Sequence, residues 1–238
     1  MCGRFAQVFE DKDVSRIEEI LRAALGDVSM AGDLLLDSFN IAPSQDALVC
    51  EAGEGSDGMT RARFGLTPSW AKDASMSSKM INARSETAHE KPAYRGLVDR
   101  RRCVVPISGF YEWEAGSGKK AKQPWYVERR DGDVMMLAGL WDRWATDSGD
   151  VDSFSLLTMD AAGFLAGIHH RMPMVLESSM VEGWMELTVG LNELSVDEEA
   201  LTGHRVGRRV NSPSNNDAGL IDEVAEGEIE RDGTLWGG

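Results

Sequence analysis

The chain has 238 residues, 42% hydrophobic and 27% charged, which suits one sizeable core or two small ones. No apolar run approaches the roughly 18–20 residues of a membrane span, and the first residues lack a signal-peptide pattern, so a cytoplasmic protein without membrane contact is expected. The formal charge of −15, from 40 acidic and 25 basic residues, speaks against indiscriminate affinity for nucleic acid.

Residues 11–25 carry Val14, Ile17, Ile20, Leu21 and Leu25 at helical spacing behind early acids, which predicts an amphipathic helix. Asn40-Ile41-Ala42-Pro43 reads as a fixed, extended loop, because a residue before proline avoids the helical region. Ala47–Cys50 and Ala62–Leu66 read as strands on either side of a turn containing Gly53, Gly55 and Gly58. A polar connection from Ser69 to Ser78 carries Trp70, and Ser85–Lys91 reads as a short helix.

The middle of the chain is rich in short strand-like runs: Arg102–Ile107, Gly109–Trp113, Pro124–Glu128, Val134–Trp141 and Phe154–Met159. Arg100-Arg101-Arg102 reads equally as a solvated turn or as a cationic cluster. Gly116-Ser117-Gly118-Lys119 has the look of a phosphate loop, but Trp113 stands at the required first glycine and Lys120 where a magnesium-binding hydroxyl belongs; it reads as a hairpin turn. Glu177–Leu187 and Ser195–Leu201 read as helices, Gly203–Val210 as a strand and Asn211-Ser212-Pro213 as a turn. Strands in the centre with helices at the flanks, and no βα alternation, predict an α+β single domain over residues 1–222. Its core is expected to be a curved, barrel-like mixed or antiparallel sheet flanked by helices. Residues 223–238 are acidic and poor in apolar anchors, and are expected to be a mobile tail. A monomer is expected, and neither a metal nor an organic cofactor is indicated.

Cys2, Cys50 and Cys103 are widely spaced and odd in number, which fits neither a disulfide framework nor a zinc site. Cys50 and Cys103 stand in apolar runs and read as buried, inert thiols; His89 and His204 are isolated and read as surface residues. Cys2 differs. Once Met1 is removed, the chain begins with an α-amine and a thiol on one residue. The amine can condense with an aldehyde, and the thiol can close on the imine carbon to give a thiazolidine. An α-amine titrates at about 7.7–8.0, against about 10.4 for lysine, so far more of it is reactive at neutral pH.

Five segments place polar residues within apolar, strand-like context: Met1–Phe5, Phe39–Pro43 (FNIAP), Ile81–Thr87 (INARSET), Val105–Trp113 (VPISGFYEW) and Ile168–Pro173 (IHHRMP). Half-buried Asn, Arg, Glu and His are costly unless paired, so such segments mark a site. In these segments, and in RFGLTPSW (Arg63–Trp70), KQPWYV (Lys122–Val127) and AGLWDRW (Ala138–Trp144), the chain resembles the SRAP (SOS-response-associated peptidase) family from about Cys2 to Asn211. The resemblance implies a covalent trap for abasic sites in single-stranded DNA, with Schiff-base lyase side chemistry and self-removal of the initiator methionine.

By the same resemblance Cys2 is the nucleophile, and Asn82 holds Cys2 and the opened sugar. Glu112 binds the amine and moves protons, and His169 is the acid/base on the sugar oxygen. A register slipped by one would put His170 into the site instead. Arg4 and Arg84 correspond to phosphate contacts, with Arg171 as a further phosphate contact, a residue that orients Glu112, or a brace for the loop. Trp70 and Trp113 correspond to aromatics along the DNA, Trp113 reading equally as core, and Pro43 to a wall of the lesion pocket. Phe64 departs from the family's tryptophan at that place and is expected to remain apolar core. Two other readings stand beside this one: a noncovalent single-strand binder that leaves Cys2 unused, and a cysteine peptidase with His169 as base and Asn82 as oxyanion donor.

Overall fold

In the computed structural model, which describes residues 2–26, 29–30, 34–56, 58–114 and 122–225, the alternation of apolar side chains becomes two sheets. The strands are β1 (Phe5–Gln7), β2 (Ser38–Ile41), β3 (Asp46–Gly53), β4 (Met59–Phe64), β5 (Asn82–Arg84), β6 (Arg101–Ile107) and β7 (Gly109–Glu114). They continue with β8 (Gln123–Arg129), β9 (Met135–Thr146), β10 (Gly149–Asp160), β11 (Arg171–Pro173), β12 (Val175–Leu176) and β13 (Leu201–Arg205). Two α-helices, α1 (Asp11–Leu25) and α2 (Ser178–Met185), pack on each other and against the barrel strands.

Strands β10, β4, β3, β6 and β9 pair in that order, and β9 returns to β10, which closes a barrel. The barrel is mixed, because β4 runs parallel to β10 while its other pairs are antiparallel. A second, antiparallel sheet has the order β13-β8-β7-β1-β2. Strand alternation sorts the core. Leu48 and Cys50 of β3 join Ile17, Leu21 and Trp184 of the helices. Ala47 and Val49 join Phe5, Phe110 and Val127 of the second sheet. Both faces of β3 are therefore buried. Phe64 is core as expected, edge-on to Phe5 at 5.1 Å and stacked on Phe154 at 5.3 Å.

Helix α1 has the bounds read from its periodicity. Asp13 accepts from the Glu10 N–H at 2.9 Å at its start, and Gly26 closes its end at φ +73°. Other segments differ from expectation. Ser85–Lys91 is a run of turns, not a helix, because Lys91 precedes a proline. Ser195–Leu201 contains only the 3-10 turn Glu198–Ala200, after which the chain pairs with β8 as β13. That strand ends at Arg205, and Arg208–Asn211 is a 3-10 turn. The start of the acidic stretch is docked: Glu223 bridges Val206, and the Val224 N–H donates to the Arg205 carbonyl at 2.9 Å. The hairpin expected at Gly116–Lys119 and the tail beyond residue 225 lie outside the described residues. No described helix is long and apolar enough to cross a membrane.

Candidate functional site

Strand register brings the chemistry together. Phe5 pairs with Phe110 on one side and Ile41 on the other, and the Tyr111 N–H donates to the Arg4 carbonyl at 2.9 Å. Glu112 lies two residues beyond Phe110 in β7, and Pro43 two residues beyond Ile41 in the turn that follows β2. On the other side, the end of β10 carries β5 along Leu156–Thr158 and β11 along Thr158–Asp160. The first residue of β5 is Asn82, and the loop that enters β11 carries His169.

Cys2 is fully buried, and its carbonyl accepts from Asn82 Nδ2 at 2.9 Å. The backbone carbonyl of Asn82 is in turn held by the Tyr94 hydroxyl at 3.3 Å. Asn82 Oδ1 is buried and has no hydrogen-bond partner among the described residues. A buried acceptor left open is costly, so this oxygen is set for a donor that the described residues do not provide. Burial pushes the Cys2 thiol up to about 12, and the neighbouring carboxylate of Glu112 adds to the rise. Glu112 is itself buried, and its charge reaches His169 as well as Cys2.

His169 is half-buried and His170 exposed. His169 Nδ1 is held by the backbone of Arg171, 3.0 Å from its nitrogen and 3.2 Å from its carbonyl oxygen. Burial holds the His169 pKa below its ordinary value, against the opposing pull of Glu112. The two histidine rings lie 4.2 Å apart, centroid to centroid.

The arginines divide. Arg84, two residues beyond Asn82 on the same face of β5, is exposed. Arg4 is turned inward: Nη1 donates to Asn40 Oδ1 and to the Val210 carbonyl, each at 2.7 Å. Its guanidinium also lies 5.8 Å from the Trp113 ring centroid. Arg171 is buried and acts as a brace. It grips Glu86 through two bonds of 2.7 and 2.9 Å, Asp160 at 2.6 Å and the Thr158 carbonyl at 2.6 Å. Of the Arg100–Arg102 run only Arg100 is exposed; Arg101 is paired with Asp142, and Arg102 is buried over Trp184 at 4.2 Å.

Trp113 is half-buried and donates through Nε1 to Asn211 Oδ1 at 2.8 Å, whereas Trp70 stands 68% exposed on the connection between β4 and β5. Cys50 and Cys103 are buried, their thiols pushed up by burial. His204, expected at the surface, is half-buried and bonded to the Ile221 carbonyl at 2.8 Å. Among the described residues no group of three or more His, Cys, Asp or Glu is arranged to hold a metal. Sequence reading left Asn40, Glu86, Tyr94 and Asn211 without roles. Asn40 and Glu86 stood inside the quoted motifs, but Tyr94 carried no signal.

Comparison with known proteins bears on the family and the fold. The family model described as SOS response associated peptidase (SRAP) matches residues 1–213. The chain is 32% identical to the abasic site processing protein YoaM of Bacillus subtilis over 229 residues, covering 93% of this chain and 98% of that one. It is 32% identical to the abasic site processing protein HMCES of Gallus gallus over 183 residues, covering 65% of this chain and 54% of that one. A crystal structure of a Bacteroides thetaiotaomicron protein shares the fold with a TM-score of 0.76 at 24% identity, covering 94% of this chain and all of that one.

Proposed function

The chain belongs to the SRAP family, and from that premise we propose that it processes abasic sites in single-stranded DNA by forming a covalent thiazolidine link through Cys2. Removal of Met1 frees the Cys2 amine. The amine attacks the aldehyde carbon of the ring-opened deoxyribose, the adduct loses water to an imine, and the thiol adds across the C=N bond while its proton passes to nitrogen. One aldehyde and one aminothiol thus give one thiazolidine and one water. Glu112 takes the ammonium proton, and His169 Nε2 exchanges a proton with the sugar oxygen as the ring opens and closes. Asn82 Oδ1 accepts from the amine or from a sugar hydroxyl. The imine also opens a lyase route, and the site acts wherever the cytoplasm or nucleoid exposes single strands.

The observation that carries this reading is the buried Cys2, tied by its carbonyl to Asn82 and facing the charge of Glu112, which also acts on His169. A thiol at about 12 is a poor thiolate nucleophile for amide cleavage, which weighs against the peptidase reading. Closing on an imine formed by its own amine is instead intramolecular, so proximity offsets the low thiolate fraction. The test is a denaturing gel after heating methionine-free protein with an oligonucleotide that contains one abasic site. A heat-stable shifted band that Cys2→Ser abolishes is expected. No band from the wild-type protein sinks the reading.

A further inference from the structure

The connection between β4 and β5 builds a cavity apart from the Cys2 site. Leu66, Pro68, Met76 and Met80 give it an apolar lining, and Thr67 and Ser77 bring hydroxyls. Its volume is about 280 Å³, just under the roughly 300–1,000 Å³ of small-molecule sites, which suits one flat ring system. Thr67 and Ser77 are only 3% and 6% exposed. Thr67 bonds through its backbone, N–H to Ser153 Oγ at 2.8 Å and carbonyl from that hydroxyl at 3.5 Å. Ser77 likewise bonds through its N–H to the Ala74 carbonyl and through its carbonyl from the Met80 N–H. Neither side-chain hydroxyl has a protein partner among the described residues, so both are free for a ligand's polar edge. At the rim, Trp70 is 68% and Met76 54% exposed, an apolar outlay unusual on so charged a surface.

Trp70 also walls a second pocket of about 270 Å³, which contains Pro92, Arg95, Leu97 and Arg100. Asp142 lines it too, but that carboxylate is taken by Arg101 and by the Ser69 N–H at 2.7 Å. Arg100 has Glu54 3.9 Å away, and Arg95 is exposed. One indole therefore separates an apolar, hydroxyl-edged pocket from a cationic one. Met80 in the first pocket's wall lies two residues from Asn82, within about 7 Å along the chain.

We propose that the two pockets hold one nucleotide of the strand that carries the lesion, its base turned into the Leu66–Met80 cavity against Trp70 and its phosphate on Arg95 and Arg100. This inference rests on the DNA reading above. The test uses single-stranded oligonucleotides with one abasic site and an inert, base-less tetrahydrofuran spacer placed at each flanking position in turn. Equilibrium binding is read by anisotropy on Cys2→Ser protein, and crosslinking on wild type. Removing the base at one position is expected to weaken binding about tenfold, the scale of a stacked base, and other positions less. Ser77→Phe, which fills the cavity, and the near-isosteric Thr67→Val, which removes only a hydroxyl, are each expected to flatten that dependence while melting like the parent. Crosslinking with equal tolerance of spacers at every position overturns the pocket but leaves the DNA reading. A positional dependence that survives both variants also overturns it. No crosslinking by wild type overturns the DNA reading and this inference with it.

Discussion

Asn82 serves the site in two senses, since Nδ2 anchors the Cys2 carbonyl while Oδ1 waits for a donor. Asn82→Ala is expected to cost about 1 kcal/mol of stability through the lost hydrogen bond, measured by denaturant midpoint, and to slow crosslinking by much more than that loss implies. Glu112→Gln keeps the shape and removes the base, so crosslinking is expected to slow by about 100-fold or more in single-turnover assays. A normal rate would remove Glu112 from proton transfer. For His169 the sign follows from burial, which holds the ring neutral to lower pH than a free imidazole. The wild-type rate should fall as pH drops through a midpoint below about 6.5. His169→Gln should lose that inflection while keeping the higher one that belongs to the α-amine. These three positions were legible because the motifs carry them. The inward turn of Arg4 was not, because beside Asn40 it needs the Val210 carbonyl, remote in sequence and without side-chain identity.

Among the elements, β10 decides where the chemistry meets, because its last residues hold β5 and β11 at once. Its middle depends on Gly139 of the neighbouring strand. A Cβ there would stand 2.9 Å from the Ser155 carbonyl oxygen and 2.8 Å from Cys103 Sγ. Gly139→Ala is therefore expected to lower stability by about 1–3 kcal/mol through overpacking, read from the unfolding midpoint. Helix α1 and the longer strands were readable from period alone, since each buries one stripe or alternates between two cores. The short strands β5, β11 and β12 have too few residues to show a period, and they exist because β9 and β10 offer edges. Ser195–Leu201 failed as a helix for the same reason: the edge of β8 captures Leu201–Arg205. The brace of Arg171 on Glu86 and Asp160 joins residues 85 and 11 positions away, a pairing that no local pattern announces.

For the whole molecule, the charge of −15 sets a repulsive background, so phosphate binding must be local and sensitive to salt. Arg84→Ala is expected to weaken noncovalent binding and to make the slope of log affinity against log salt shallower by about one unit; an unchanged slope would remove Arg84 from the contacts. The barrel-like α+β architecture was legible from the order of elements, but closure through β9 and β10 was not, since it is a property of register. The same long reach governs assembly. Arg4 is held by the Val210 carbonyl, 206 residues later, and Asn40 reaches the carbonyls of Val210, Ser212 and Asn215. At a translation rate of about 5–20 residues per second, the clasp on the first residues is made roughly 10–40 s after they leave the ribosome. A nascent chain thus carries Arg4 and Asn40 unclasped until residues 210–215 have followed them out.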